Sequence, residues 1–494
     1  MSLARYFIRK SVATIQTESG SHDLKRSLSA LNLVSLGIGC IIGAGIFVLT
    51  GKAAAQNAGP AIMISFVLAG MACAFAALCY AELASVLPVS GSAYTYAYAT
   101  LGEVIAWAMG WLLILEYGLA SATVAVGWSG YLASFLKDFH IIIPPALSQP
   151  TFDLIADPTH AGKMVMGITS RFNLPALFGI LGVTALLVVG VSESAKVNNV
   201  IVMIKLAVVI IFIGVGAFFV HPANWQPFIP DNIGPGQYGF DGVLKAAGVI
   251  FFAYIGFEAV STAAQEAKNP QRDMPIGILG SLAVCTLLYI AVSAVLTGIV
   301  SYKELNVPDP IAVAIDRINL PWLTLGSFKM LPFLVKLGAI MGLSSVMLVL
   351  VYGQTRIFYM MGHDGLIPQA FCKIHPTFKT PYINTIIVGL VVGMAAGFTP
   401  ISVLGDLVSM GTLFAFCIVC FSVLYLRYKR PDLPRPFKTP FMPFTPILGI
   451  ASCGYLIYGI GKDIFMVLWP YFLAGVVIYF VYGQFHSKLA KEQQ

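Results

Sequence analysis

Four glycines fall within nine positions of an apolar run: Gly37, Gly39, Gly43 and Gly45, inside residues 31–55. A run of this length suits a helix of about 20 residues crossing a bilayer. Each glycine weakens such a helix by about 1 kcal/mol relative to alanine. Bare backbone is tolerated at membrane depth only where protein buries it or it lines a cavity. The spacing therefore predicts a broken helix whose free amides and carbonyls face a ligand. Half-helix N-termini offer amides and the positive end of the dipole to an anion, while unwound carbonyls receive a cation. The amides after Gly43, at Ala44 and Gly45, form the predicted anion site; the carbonyls of Ile41, Phe252, Ala253 and Ile255 form the predicted cation site. The last three belong to a second glycine-interrupted stretch, Gly248 to Glu258, within the apolar run 240–264. Two interrupted segments in corresponding halves of a chain point to the binding site of a secondary transporter. For the first stretch alone a second reading is open, a small-residue packing face with Gly39 and Gly43 four apart.

Ionisable groups inside apolar runs are costly and mark function by default. The candidates are Glu82, Glu116, Lys205, Lys245, Glu258, Lys336 and Asp406. Lys245 and Lys336 lie a turn or two from run ends and are expected to snorkel to the interface. Glu82 and Asp406 also lie near run ends and are not assigned to the site. Glu116 lies about fifteen residues into its run, near or beyond mid-bilayer at a rise of about 1.5 Å per residue. Its leucine and isoleucine neighbours offer no partner, so it is expected to be a path or gate acid; a hydrogen bond tying its helix to the broken helices is the alternative. Glu258 follows the second break and is expected to face the inner pathway. Lys205 lies roughly seven residues into its run, about 10 Å from the inner end and too deep for easy snorkelling.

The elements that must position these groups are helices in a membrane. The chain is 58% hydrophobic and 10% charged, with mean hydropathy +0.84; soluble domains carry about a quarter of their residues as charges. Apolar runs of spanning length occur near 31–55, 61–87, 101–136, 174–191, 198–220, 240–264, 276–300, 330–356, 383–399, 403–426, 444–461 and 466–484. The longest polar stretch between them, 137–173, is too short and proline-rich to be a domain. With the N-terminus inside, eighteen Lys and Arg fall in inner segments and eight in outer ones, so both termini are expected in the cytoplasm. This asymmetry accounts for the net charge of +7 without nucleic acid. No cleavable signal peptide is expected, because the first apolar run is too long for one. The eight cysteines fall almost all in apolar runs and read as small buried hydrophobes, with no disulfide implied. Cys417 and Cys420 lack the further ligands of a zinc set. Nucleotide-binding loops, zinc-protease and nucleophile-elbow signatures are absent. Pro88 to Tyr94 has one glycine and no lysine and reads as a short connection.

The stretch Gly37 to Phe47 resembles the first helix of the amino acid–polyamine–organocation (APC) transporters. Leu115-Glu116-Tyr117-Gly118-Leu119-Ala120 is similar to their cationic-amino-acid-transporter branch, as are Ser261-Thr262-Ala263-Ala264, the segment Ala267 to Pro275, and Gly353-Gln354-Thr355-Arg356-Ile357-Phe358. The likeness runs from about residue 25 to about residue 430. It implies an all-α membrane protein of about 12 helices, a five-plus-five inverted repeat with helices 1 and 6 broken and two extra C-terminal helices. The corresponding division is a cytoplasmic segment 1–30, a ten-helix transport core 31–426, a linker 427–443, two peripheral helices 444–484 and a tail 485–494. An amino acid's carboxylate would lie on the Ala44 and Gly45 amides and its ammonium on the carbonyls. The family often has a hydroxyl residue where Ala44 stands, and more often Asp where Glu258 stands. In proton-coupled members an amine from helix 5 occupies the place of a sodium ion between helices 1 and 8. Lys205 matches that position, and Ser344 and Ser345 match the helix-8 positions that otherwise help to hold sodium. A lysine permanently charged and bonded to first-helix carbonyls would instead give uniport or exchange.

The expected function is a permease, not an enzyme, moving L-amino acids across a bacterial inner membrane by alternating access with proton coupling, without cofactor or metal. Expected partners are an L-amino acid, the proton and the bilayer. Glu116 invites cationic substrates such as arginine or lysine, whereas the apolar lining by Ile41, Phe252 and Ile255 suits small neutral ones. A channel or receptor using the same cavity is the alternative of a different class.

Overall fold

The structure, a computed structural model, describes residues 8–10, 28–87, 93–156, 164–190, 195–318, 324–325 and 328–492. Most of the segment before residue 28, and Pro88 to Ser92 of the expected connection, lie outside the described residues. Eight stretches are long and apolar enough to cross a membrane, and four shorter apolar helices accompany them. In chain order the principal helices are α1 (Ala30–Ile41), α2 (Ile62–Val86), α3 (Glu103–Lys137), α4 (Leu174–Val189), α5 (Ala195–Gly216) and α6 (Gly239–Ile250). They continue with α7 (Pro270–Ile299), α8 (Met330–His363), α9 (Tyr382–Phe398), α10 (Ile401–Lys429), α11 (Phe444–Ile460) and α12 (Lys462–Ile478). The polar stretch after α3 folds into a hairpin of β1 (Phe152–Ala156) and β2 (Met164–Ile168), which marks one face of the bundle. The opposite face carries residues 8–10 and the helix Lys488–Glu492 and is called here the terminal face.

The packing has the symmetry that the order of the spans predicts. Helices α2 and α7, α3 and α8, and α4 and α9 pack as pairs, and the two breaks pack on each other. Each partner is the fifth span after its mate. Successive spans reverse direction, so such mates run antiparallel, as an inverted repeat requires. The remaining contacts are mirrored too: α1 on α7 matches α6 on α2, and α3 on α10 matches α8 on α5. Helix α11 lies against α10, α6 and α2. Helix α12 is fastened to α3, with the Trp107 and Trp111 indoles donating to the Gly475 and Tyr471 carbonyls at 3.0 and 2.9 Å. The Tyr471 hydroxyl returns a bond to the Trp111 carbonyl at 2.6 Å, and the Trp111 and Tyr471 rings stack at 4.7 Å.

Both breaks fall where the glycines place them. Helix α1 starts on a Ser29–Asn32 capping box and ends at Ile42, whose ψ of 101° is extended. The chain resumes as helix over 45–58, wound partly as π-helix. Helix α6 gives way to a tighter turn at Phe251–Tyr254, then to extended Ile255 and to Gly256 at φ +116°. Beyond Gly256, residues Glu258–Glu266 wind as 3-10 helix rather than α-helix, a form associated with functional hinges. The two breaks cross in backbone contact. A Cβ at Gly45 would lie 2.2 Å from Ala253 Cα, and one at Gly256 would lie 2.8 Å from the Cys40 carbonyl oxygen.

Polar clusters close each face. On the terminal face Lys10 pairs with Asp364 at 2.9 Å, and the Tyr94 hydroxyl donates to the same carboxylate at 2.6 Å. The Lys488 amide donates to the Asp364 carbonyl at 3.1 Å. Glu103 nearby accepts from the hydroxyls of Tyr98 and Tyr479 at 2.8 and 3.0 Å and from Ser487. On the hairpin face Lys336 does not snorkel: it is 1% exposed and pairs with Asp138 at 2.9 Å and Asp316 at 3.0 Å. Asp138 follows α3, and Asp316 lies in the short helix Pro310–Arg317 that packs over the start of the 45–58 segment.

The crossing yields a direct stability expectation. Gly45→Ala sets a methyl against backbone, and overpacking of this kind costs about 1–3 kcal/mol. Gly43→Ala meets only the Val346 side chain, at 3.3 Å. In thermal unfolding of the purified protein, Gly45→Ala should melt several degrees lower than Gly43→Ala; equal melting points would contradict the close crossing.

Candidate functional site

The resumed helix of the first break makes its first hydrogen bond from the Phe47 amide to the Gly43 carbonyl, at 3.3 Å. The amides of Gly43, Ala44, Gly45 and Ile46 are thus the four donors that a helix start leaves without an intrahelical partner. Gly43, Ala44 and Gly45 are all buried. Ala44 turns its methyl toward Gly127 of α3, so only its backbone is available to a ligand. Opposite them, the Phe252 carbonyl accepts from the Ile255 amide at 3.2 Å. The Ile41 and Ala253 carbonyls converge on one group that sequence reasoning missed. The Tyr289 hydroxyl of α7 lies 2.8 Å from Ile41 O and 2.9 Å from Ala253 O. A single phenolic proton cannot satisfy both fully, so the pair of carbonyls keeps acceptor capacity for a second donor. A tyrosine deep in an apolar helix needs a partner for its hydroxyl; that requirement was the available signal, although nothing in the sequence named the partner.

Lys205 comes to the same region from α5. It is 1% exposed, its Nζ donates to the Gly39 carbonyl at 2.8 Å, and its stem packs against Gly342 of α8. It therefore lies between the first broken helix and α8. Of the two α8 serines, Ser344 turns elsewhere, accepting from the Trp128 indole and donating to the Ile340 carbonyl, at 2.9 and 2.8 Å. Ser345 is buried on the same helix.

Glu116 and Glu258 meet on the terminal-face side of the crossing. Glu116 is 1% exposed, with the Glu258 carboxyl and the Thr412 hydroxyl as neighbours, and its Oε1 is buried without a hydrogen-bond partner among the described residues. Glu258 turns back so that both its oxygens accept from the Gly256 amide, at 2.9 and 3.1 Å. It thus folds onto the backbone of the break just before the second half-helix, with Glu116 as its neighbour. Two further intramembrane acids lie apart from this group: Glu82 is held by Arg427 and Arg435, and Asp406 on α10 has a buried Oδ1 without a hydrogen-bond partner among the described residues.

The two broken helices thus cross at glycines, close to the carbonyls that Tyr289 bridges. Residues 28–483 match the family described as amino acid permease. This chain belongs to the amino acid permease family. A methylthioribose transporter of Bacillus subtilis is 45% identical over 489 residues, 99% of this chain and 100% of that protein. The branched-chain amino acid permease BcaP of the same organism is 46% identical over 485 residues, 98% of each. The vacuolar cationic amino acid transporter 4 of Arabidopsis thaliana is 37% identical over 430 residues, 86% of this chain and 67% of that protein. The permease family lies within the APC superfamily, and the chain is a transporter rather than an enzyme.

In this permease Tyr289→Phe removes the one hydroxyl that joins the carbonyl ends of both breaks while leaving its ring against Phe66 and Tyr254. Transport should fall about tenfold, the worth of one net hydrogen bond, with the fold retained. Uptake assayed beside thermal unfolding checks this; wild-type transport would remove Tyr289 from the site.

Proposed function

We propose that this permease carries a neutral, apolar L-amino acid by alternating access, coupled to protons, across a bacterial plasma membrane with the terminal face in the cytoplasm. The observation that carries the reading is the crossing itself, where four amides without helical partners oppose the Ile41 and Ala253 carbonyls. This is a backbone receptor for a zwitterion: carboxylate on the amides of Ala44 and Gly45, ammonium on the carbonyls, where Tyr289 already holds a place for a donor. The Ile41, Phe252 and Ile255 side chains favour an aliphatic substituent, in keeping with the branched-chain name of BcaP. The excess of Lys and Arg on the terminal side supports the orientation.

Coupling runs through Lys205. Its ammonium bonds the Gly39 carbonyl just before the first break and occupies the place a sodium ion would need. Loss of its proton weakens that bond and frees α1 to move; regaining the proton draws α1 back. The Lys10–Asp364 cluster then acts as the inner closure and the Lys336–Asp138–Asp316 cluster as the outer one, opening in turn. Glu116 and Glu258 lie between the crossing and the inner closure, as path and gate acids. A second reading, a neutral thiosugar as substrate, is favoured by the 45% identity to the methylthioribose transporter over the full length of both proteins.

Proteoliposomes with sodium and pH gradients imposed separately test the coupling. Leucine, isoleucine or valine should accumulate under an inward proton gradient, without response to sodium, and Lys205→Ala should lose the accumulation while still exchanging substrate. Sodium-driven uptake, or full proton-driven uptake by the variant, would exclude this role for Lys205. A thermal-shift panel including arginine, lysine and methylthioribose decides the substrate: stabilisation by methylthioribose alone would replace the amino acid reading.

A further inference from the structure

The last residues of α10 and the segment after it read Arg427-Tyr428-Lys429-Arg430-Pro431-Asp432-Leu433-Pro434-Arg435-Pro436-Phe437-Lys438, with five cations and one acid. Its fold is held from beneath by Glu82 of α2. Arg427 grips that carboxylate through Nε and Nη2 at 2.8 and 2.7 Å, and the Thr439 amide adds a bond at 2.7 Å. Arg435 approaches it at 3.4 Å. The remaining donors of Arg435 bond the Leu426 and Arg430 carbonyls at the end of α10, at 3.0 and 2.6 Å, and the Pro431 and Leu433 carbonyls at 3.2 and 2.8 Å. Arg435 is thereby the cap that closes the C-terminus of α10 and folds the loop back over it. Arg430 and Asp432 neutralise each other at 3.1 Å, which holds the Asp432 carboxyl below its usual range.

This folding leaves a cavity of about 390 Å³ on the terminal face, lined by Arg427, Pro431, Leu433, Pro434, Arg435 and Lys438. Three cations line it, with the Glu82 carboxylate behind Arg427 and Arg435 and Asp432, paired with Arg430, on the same loop. Arg427 Nη1 and Lys438 Nζ have no hydrogen-bond partner among the described residues. The volume falls within the span of about 300–1,000 Å³ typical of small-molecule sites. In sequence the lining residues are flanked by exposed rings: Tyr428 next to Arg427, then Phe441 and Phe444, 82% and 66% exposed, just before and at the start of α11. Exposed aromatic rings at helix ends mark the level of the membrane–water interface. Basic pockets between helices at that level suit anionic headgroups.

We propose that this cavity binds a phosphate group carried on an anionic membrane lipid, with Lys438 and Arg427 contacting the phosphate and the acyl chains lying along Phe441 and Phe444. The rigid guanidinium of Arg427, fixed by Glu82, supplies a preset donor, and Lys438 supplies the adaptable one. The occupied site would bind the loop to α10 and to the end of α2.

Native mass spectrometry and thermal unfolding of the whole detergent-purified protein test the site, titrated with phosphatidylglycerol, with phosphatidylcholine, or with inorganic phosphate alone. Phosphatidylglycerol should bind with one tight stoichiometry and raise the melting point more than phosphatidylcholine. Lys438→Gln should weaken that binding about fivefold, as expected for one cation near the surface, and Lys438→Arg should restore it. Lys491→Gln, on the same face but outside the cavity, should have no effect. Inorganic phosphate reproducing the Lys438-dependent shift would keep the phosphate site and replace the lipid by the free ion. Equal loss in Lys491→Gln and Lys438→Gln, or no dependence on Lys438, would overturn the proposal.

Discussion

The structure depends on one contact, the backbone crossing of Gly45 over Ala253, seconded by Gly256 over the Cys40 carbonyl. In hydrocarbon an interrupted helix leaves amides and carbonyls that nothing in the lipid can satisfy. Setting one break against another buries these groups in protein and keeps them close together. No side chain fits between the strands of backbone at Gly45, so the glycines serve approach first and flexibility second. The surrounding helices follow from this. Tyr289 holds the two carbonyl ends, Lys205 holds the end of α1, and Glu258 holds the Gly256 amide at the second break. What the crossing presents is therefore backbone, and the side chains around it fix where that backbone stands.

The symmetry of the bundle adds a second constraint. Mates in an inverted repeat are alike in fold and opposite in direction, so each half can close one face. The two closures differ chemically. The terminal face uses a lysine from the chain's first described residues with a tyrosine and α8. The hairpin face uses a buried α8 lysine held by acids from α3 and from a short covering helix. Both draw on α8, at its two ends. A movement of α8 would therefore be felt by both clusters at once.

Much of this architecture was legible in the sequence because glycine spacing and run length are local signals. The positions of both breaks, the antiparallel pairing of spans and the depth of Lys205 follow from counting residues. What was not legible depends on partners far away in the chain. Tyr289 meets carbonyls 248 and 36 residues distant, and an isolated tyrosine in an apolar run looks like any interfacial aromatic. Lys336 was read as snorkelling because the acids that bury it belong to segments outside its own helix. Ser344 and Ser345 are adjacent in sequence, but on a helix adjacent residues point about 100° apart, and Ser344 turns to Trp128. The 3-10 winding after Gly256 also escaped, since its composition is compatible with an α-helix.

Asp364 has a consequence for how the protein is made. Its carboxylate receives Lys10 and Tyr94, and its carbonyl receives the Lys488 amide; Glu103 likewise waits for Ser487. During synthesis residues 487 and 488 leave the ribosome only after all twelve principal helices, whereas Lys10 emerges before any of them. The terminal-face cluster can thus be completed only after those helices have been made. A nascent chain lacking those residues would carry its helices in the bilayer with that face less firmly shut, so the order of translation itself separates an assembled bundle from a sealed one.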